Sequence, residues 1–229
     1  MADLTLHYHP LSSYCHKVLI ALDVLGVDAD RQLLNLGDAS ERAAFLALWP
    51  TGKMPLLVDQ GRPVAETSII IEYLQQRHAR SGHALIPADP AQALDVRLWD
   101  RLCDLYVMTP MQACTADLLK PETERDAGSV LQAHQRLLMA YRMLDAQLAG
   151  QDWLAGDAFS MADCAAAPAL FYAVTYVPIP AAHALLAAYF ERLLAHPAVA
   201  ATIEQARPWF KFYPGRAGLA PRFLDAADA

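Results

Sequence analysis

The segment Leu4-Thr5-Leu6-His7-Tyr8-His9-Pro10-Leu11-Ser12-Ser13-Tyr14-Cys15-His16-Lys17-Val18 constrains the fold of this chain most. Leu4, Leu6 and Tyr8 alternate with Thr5, His7 and His9, as in a half-buried strand. Pro10 marks a turn. Cys15, Val18, Leu19, Leu22 and Leu25 then fall at helical spacing, and Gly26 can close that helix in a left-handed cap. Residues 31–36 read as a second strand. A strand, a helix and a second strand in this order predict a parallel pair with a right-handed crossover. Ser12 falls at the start of the helix, where unpartnered N–H groups and the helix dipole favour negative charge. Ser12-x-x-Cys15 also occupies the place of a C-x-x-C redox pair with its first cysteine replaced by serine. Sulfur chemistry at this turn therefore needs a sulfur brought by a ligand.

The next elements complete a small mixed sheet of four strands. Asp38 and Glu41 suit a capping box for a helix through Leu48. Pro55-Leu56-Leu57-Val58, Asp59-Gln60-Gly61 and Arg62-Pro63-Val64-Ala65 predict a hairpin. Residues 68–77 predict a third helix. The stretch 81–90 carries glycine, two prolines and no periodicity, and reads as a linker.

Everything beyond it is helical. Leu94, Leu98, Leu102 and Leu105 recur at helical spacing within residues 91–108, and Pro110 should bend or interrupt that helix. Further helices are expected over 129–148, closed by Gly150, after the Ser160-Met161-Ala162-Asp163 cap, and over 183–195 and 198–206. The fold class is therefore α/β followed by all-α. The domains are expected at residues 1–78 and 90–229, with residues 79–89 between them.

Composition bounds the function. With 229 residues and 55% hydrophobic residues the chain can bury a sizeable core. A formal charge of −7 with no basic run disfavours nucleic acid and anionic membranes as partners. Residues 164–182 are almost wholly apolar. Pro168, Pro178 and Pro180 and the many alanines fit a buried helix and its exit loop better than a membrane span. The four cysteines, Cys15, Cys103, Cys114 and Cys164, are widely spaced and form no metal-ligand cluster. Met1-Ala2-Asp3-Leu4 lacks the basic flank and apolar core of a signal peptide, which predicts a cytoplasmic protein with free thiols. Trp209-Phe210-Lys211-Phe212-Tyr213 puts four aromatics in five residues; they either pack back over the helices or wall a ligand pocket.

Three segments carry candidate chemistry. Ser12 caps a helix or serves an anion, with Ser13 as the competing hydroxyl. Lys53-Met54-Pro55 enters a strand; a cis bond there would turn the Met54 N–H and C=O outward, where an extended peptide could pair with them. Glu66-Thr67-Ser68 opens the third helix. Its hydroxyls and open N–H groups can hold a carboxylate and Glu66 an ammonium, which together match the zwitterionic end of an α-amino acid. Capping alone also explains each of these residues.

In that order and spacing, together with Ser160-x-x-Asp163, the segments resemble the cytosolic glutathione transferases along nearly the whole chain. The resemblance implies a thioredoxin-like domain followed by a helical one. It implies that Ser12 donates a hydrogen bond to the glutathione sulfur. Met54, before a cis Pro55, pairs with the cysteinyl backbone, Lys53 faces the glycine carboxylate, and Glu66 and Thr67 hold the γ-glutamyl group. Thr67 stands where the family usually has serine. The resemblance also implies glutathione as co-substrate, no metal, a role in detoxification and a two-fold homodimer.

A free thiol has a pKa of about 8.5. Lowering it by two units takes about 2.7 kcal/mol, within reach of a charged hydrogen bond and a helix N-terminus. The Ser12-Ser13 pair resembles the zeta group, but Tyr14 replaces its cysteine and Lys17 its arginine. The hydrophobic electrophile is expected against an apolar wall between the domains, with Leu11, Tyr106 and Pro110 as candidates. Cys15 shares a helix face with Leu19 and Leu22 and reads as a buried thiol, against a reactive one. Two other functions fit the same residues: a glutathione-dependent isomerase or reductase of a small metabolite, and a binding protein of the same fold with little catalysis.

Overall fold

A computed structural model describes residues 4–224 and divides the chain into two compact units, Met1–Ile86 and Pro87–Ala229. The opening Met1-Ala2-Asp3, read above as part of a start without a leader, lies outside the described residues.

The first unit is a four-stranded sheet in the order β2-β1-β3-β4. Strand β1 (Leu4–Tyr8) pairs in parallel with β2 (Asp30–Leu33) and antiparallel with β3 (Leu56–Asp59), which pairs antiparallel with β4 (Arg62–Val64). Helix α1 (Ser13–Leu25) makes the crossover and ends at Gly26, whose φ of 65° only a glycine adopts cheaply. Gln60 and Gly61, both at positive φ, form the two-residue hairpin loop that matches strand twist.

Helix α2 (Ala39–Leu48) follows β2, and α3 (Thr67–Arg77) follows β4 and packs against α1. Three expectations change in detail. Strand β2 stops at Leu33, because an Asn35 turn takes the chain away: Gly37 and Asp38 donate to the Asn35 side chain and carbonyl. His7, expected on an open face of β1, is buried against Phe45 of α2, so both faces of this strand are covered. Half of the capping box at α2 is present. Asp38 accepts from Ser40 and Glu41, but the Glu41 carboxylate takes the Asn35 N–H instead of the Asp38 N–H.

The second unit is helical. Helix α4 (Pro90–Leu102) starts at an Asp89 cap and runs through a π-helical turn, Cys103–Met108, straight into α5 (Thr109–Leu118). Pro110 is expected to bend or interrupt the helix, and the regular α-helical ladder is interrupted just before it. The turn there widens: the Thr109 N–H bonds the Asp104 carbonyl, and so does the Thr109 hydroxyl, at 2.9 Å. Opening that turn makes room for a ring that offers no N–H.

The leucine stripe on α4 also differs from expectation. Leu94, Leu98 and Leu105 are 66%, 50% and 49% exposed, while Ala93, Val96, Cys103 and Val107 face inward. Helix α6 (Ala127–Gln147) starts two residues before expectation because Asp126, not a later residue, caps it. Helix α7 (Met161–Ala173) is buried on every side by α4, the π turn, α5 and α8 (Ala184–Ala195), which explains the apolar run that includes Pro168. Among the described residues no helix is long and apolar enough to cross a membrane.

Helix α9 (Pro197–Ala206) leads into the aromatic tail, Arg207–Phe212 in 3-10 form. Phe210 and Tyr213 are buried and pack on Phe171 and Tyr172 of α7, so the packing alternative holds for them. Phe212 is 64% exposed and does not share that packing.

Candidate active site

The strand register gathers the three candidate segments. His7 near the end of β1 lies opposite Leu56 at the start of β3, and Leu57 lies opposite Val64 at the end of β4. The turn after β1, the residues before β3 and the residues after β4 therefore leave the sheet at one end. Helices α1 and α3 begin there, so both positive helix ends serve the same place.

Ser12 is the N-cap of α1, half-buried, with extended backbone. Its hydroxyl oxygen accepts from the Cys15 N–H at 3.3 Å. Ser13, the competing hydroxyl, is 1% exposed. Cys15 is fully buried, and burial pushes its thiol up to about 12 even though Ser12 and the His9 backbone favour the anion. Such a thiol is inert at neutral pH. Cys103, Cys114 and Cys164 are buried as well, and none forms a disulfide among the described residues.

The Met54–Pro55 bond is cis. Among the described residues nothing pairs with the Met54 amide, and Met54 itself is half-buried. Lys53 is exposed, and its N–H reaches the Thr51 hydroxyl at 3.4 Å. Glu66 caps α3 from φ 68° and ψ 121° without a side-chain bond to the helix. A non-glycine residue at positive φ stores about 1–3 kcal/mol of strain. Here it leaves the Glu66 carboxylate exposed beside the helix end, while Thr67 behind it is buried. Leu11 is half-buried in the first unit. In the second, Tyr106 is 41% exposed and Pro110 is buried.

Sequence reasoning passed over three residues at this end of the sheet. Lys17, noted only as a replacement for arginine, is fully buried and donates to the Ser68 hydroxyl at 3.1 Å, tying α1 to the first turn of α3. His9 accepts the Leu11 N–H at Nδ1, 3.2 Å away. His16 is buried and donates through Nε2 to the Pro10 carbonyl at 2.6 Å. The signal for all three was a polar residue in an apolar helical register or beside a proline turn. Among the described residues no group of three or more His, Cys, Asp or Glu is placed to hold a metal.

A thioredoxin-like sheet with an attached helical unit, and two helix starts at one sheet end, define the class. Residues 6–82 match the family described as glutathione S-transferase, N-terminal domain, and residues 102–197 match the glutathione S-transferase C-terminal domain. Glutathione S-transferase 3 of Zea mays is 31% identical over 212 residues, 89% of this chain and 94% of the relative. A Pseudomonas putida glutathione S-transferase is 33% identical over half of each chain. Glutathione S-transferase U7 of Arabidopsis thaliana is 27% identical over 70% of this chain and 66% of its own length. The chain thus spans half to two thirds of the length of the last two relatives.

A Methylobacillus flagellatus glutathione S-transferase solved with GSH bound superposes with a TM-score of 0.78 at 25% identity, covering 87% of this chain and 98% of that one. Poplar glutathione transferase F1 superposes at 0.80 with 19% identity over 91% of this chain, a likeness of fold. This chain belongs to the glutathione S-transferase family.

Proposed function

We propose that the protein is a glutathione transferase that activates the thiol of bound glutathione for attack on a hydrophobic electrophile. The observation that carries this reading is the strand register, which brings the starts of α1 and α3 and the open Met54 amide to one sheet end. Ser12 donates a hydrogen bond through its hydroxyl to the thiolate, keeping its own proton, and Met54 pairs with the cysteinyl backbone. Glu66 takes the γ-glutamyl ammonium, and Thr67 with the first N–H groups of α3 takes its carboxylate. Lys53 serves the glycine carboxylate. The buried Lys17 amine, which donates to the Ser68 hydroxyl, ties α1 to the first turn of α3 beside this site. The sulfur donates its electron pair to the electrophilic carbon, and the leaving group departs with the bonding pair. Leu11, Tyr106 and Pro110 each stay proposed as a contact of the hydrophobic electrophile. A cytoplasmic, dimeric protein acting in detoxification, without a metal, fits the same reading.

The test is titration with reduced glutathione, following thiolate absorbance against pH. The wild type should bind at millimolar ligand or below and bring the thiol pKa about two units under its free value of about 8.5. In Ser12→Ala the bound thiol should return toward that free value, with kcat/KM falling about 100-fold, the equivalent of about 2.7 kcal/mol. Glutathione binding without any fall in thiol pKa would leave a binding protein instead.

A further inference from the structure

The turn that carries Ser12 is held from both sides by imidazole. The His9 carbonyl accepts the Ser12 N–H at 3.0 Å, while the His9 ring accepts the Leu11 N–H at Nδ1. His16, one turn into α1, returns to the same loop and donates through Nε2 to the Pro10 carbonyl. These bonds fix the proton positions. A carbonyl only accepts, so His16 carries its proton on Nε2; an N–H only donates, so the facing Nδ1 of His9 is bare and its proton sits on Nε2.

The His9–Leu11 bond runs from a side chain to the amide two residues on. An asparagine or aspartate makes that bond in an Asx turn. We infer that His9 is a positioning residue for Ser12: its ring stands in for an Asx-turn side chain, and with His16 it braces the Pro10-Leu11-Ser12 turn so that the serine hydroxyl is presented at a fixed place. The inference rests on the proposed role of Ser12. It assigns that role a support that proline and helix capping alone do not supply, because the Leu11 amide lies outside the helix and needs its own partner.

Burial favours the neutral form of both rings, in keeping with this arrangement. His16 is pushed down to about 4, and His9 is shifted in the same direction. A positioned group matters because a misplacement of about 1 Å at a reacting centre costs on the order of 100-fold in rate.

His9→Leu removes the acceptor and His9→Asn replaces it without an imidazole. In His9→Leu, kcat should fall about 10-fold or more while KM for glutathione changes by less than about twofold, since Lys53, Met54 and Glu66 are untouched. His9→Asn should restore kcat to within about twofold of wild type. Adding His9→Leu to Ser12→Ala should cost nothing further, because the effect passes through the serine.

Urea unfolding midpoints of each variant establish that it folds. A kcat unchanged in His9→Leu, an asparagine variant as poor as the leucine variant, or a full additional loss on the Ser12→Ala background would each overturn the inference. Amide exchange at Leu11 and Ser12 reads the brace without any substrate. It should quicken in His9→Leu and recover in His9→Asn, and unchanged exchange overturns the brace. Wild-type protein that binds no glutathione refutes the transferase reading instead, and the exchange result then decides on the brace alone.

Discussion

His16 couples the turn at Ser12 to acid stability. Its pKa lies at about 4 in the folded protein, against 6.5 for an exposed histidine, because burial penalises the charged ring more than the Pro10 carbonyl favours it. Between those values the unfolded chain takes up a proton that the folded protein refuses. Stability from this group is therefore complete above about pH 6.5 and is lost as pH falls to about 4, by roughly 3 kcal/mol. Burial moves His7 and His9 in the same direction. Asp38, Asp59, Asp117 and Asp126 are held below the usual carboxylate range by hydrogen bonds, so their losses fall at lower pH. Asp163, raised by burial, works the other way and gains stability as it protonates. Comparison with His16→Gln, whose amide can still donate to Pro10, isolates the histidine. Urea midpoints should drop more steeply from pH 6.5 to 4 in the wild type than in the variant, and parallel profiles would refute the assignment.

At the scale of elements, the Asp163 carboxylate joins the start of α7 to its surroundings. One oxygen accepts the Ser160 N–H at 2.8 Å and the Ser160 hydroxyl at 2.9 Å. The other accepts the Leu154 N–H at 3.1 Å and the Tyr189 hydroxyl at 2.6 Å. Asp163→Ala leaves these donors buried without an acceptor, and the unfolding free energy should fall by about 3–5 kcal/mol in a urea titration. A loss under about 1 kcal/mol would mean that water reaches the gap. The start of α7 could be read from the sequence because a cap is local: Ser160 and Asp163 lie three residues apart. The same holds for Ser12, for Gly26 and for the hairpin at Gln60-Gly61.

What could not be read is relational. His7 looks like a polar strand position until α2 lays Phe45 over it. Pro110 announces an interruption of the helix but not its form, a turn that widens just before the ring. His9 and His16 carry no motif, since their meaning lies in which carbonyl or amide each ring meets. The order of the site segments was legible, but their meeting at one sheet end depends on the pairing of β1 with β3 and of β3 with β4.

For the whole molecule, the proposed homodimer supplies a reason for the open leucine stripe. Leu94 and Leu98 lie one helical turn apart on α4, and Leu105 follows in the π turn, all at least 49% exposed. Each leucine moved from water into an apolar contact contributes about 1.5–3 kcal/mol, and such a stripe is costly to leave in water. A two-fold axis would lay the same stripe on both copies, so one substitution strikes the interface twice. Leu98 is half exposed within its own chain, and replacing it by glutamate should spare the folded monomer. Leu98→Glu at micromolar protein should sediment near 25.1 kDa with unchanged helical circular dichroism, whereas the wild type should sediment at twice that mass. A wild type that stays monomeric to about 100 µM, a concentration at which a contact worth only about 5.5 kcal/mol would already be half formed, would remove the dimer from the reading. A Leu98→Glu protein that stays dimeric would place the interface on another face.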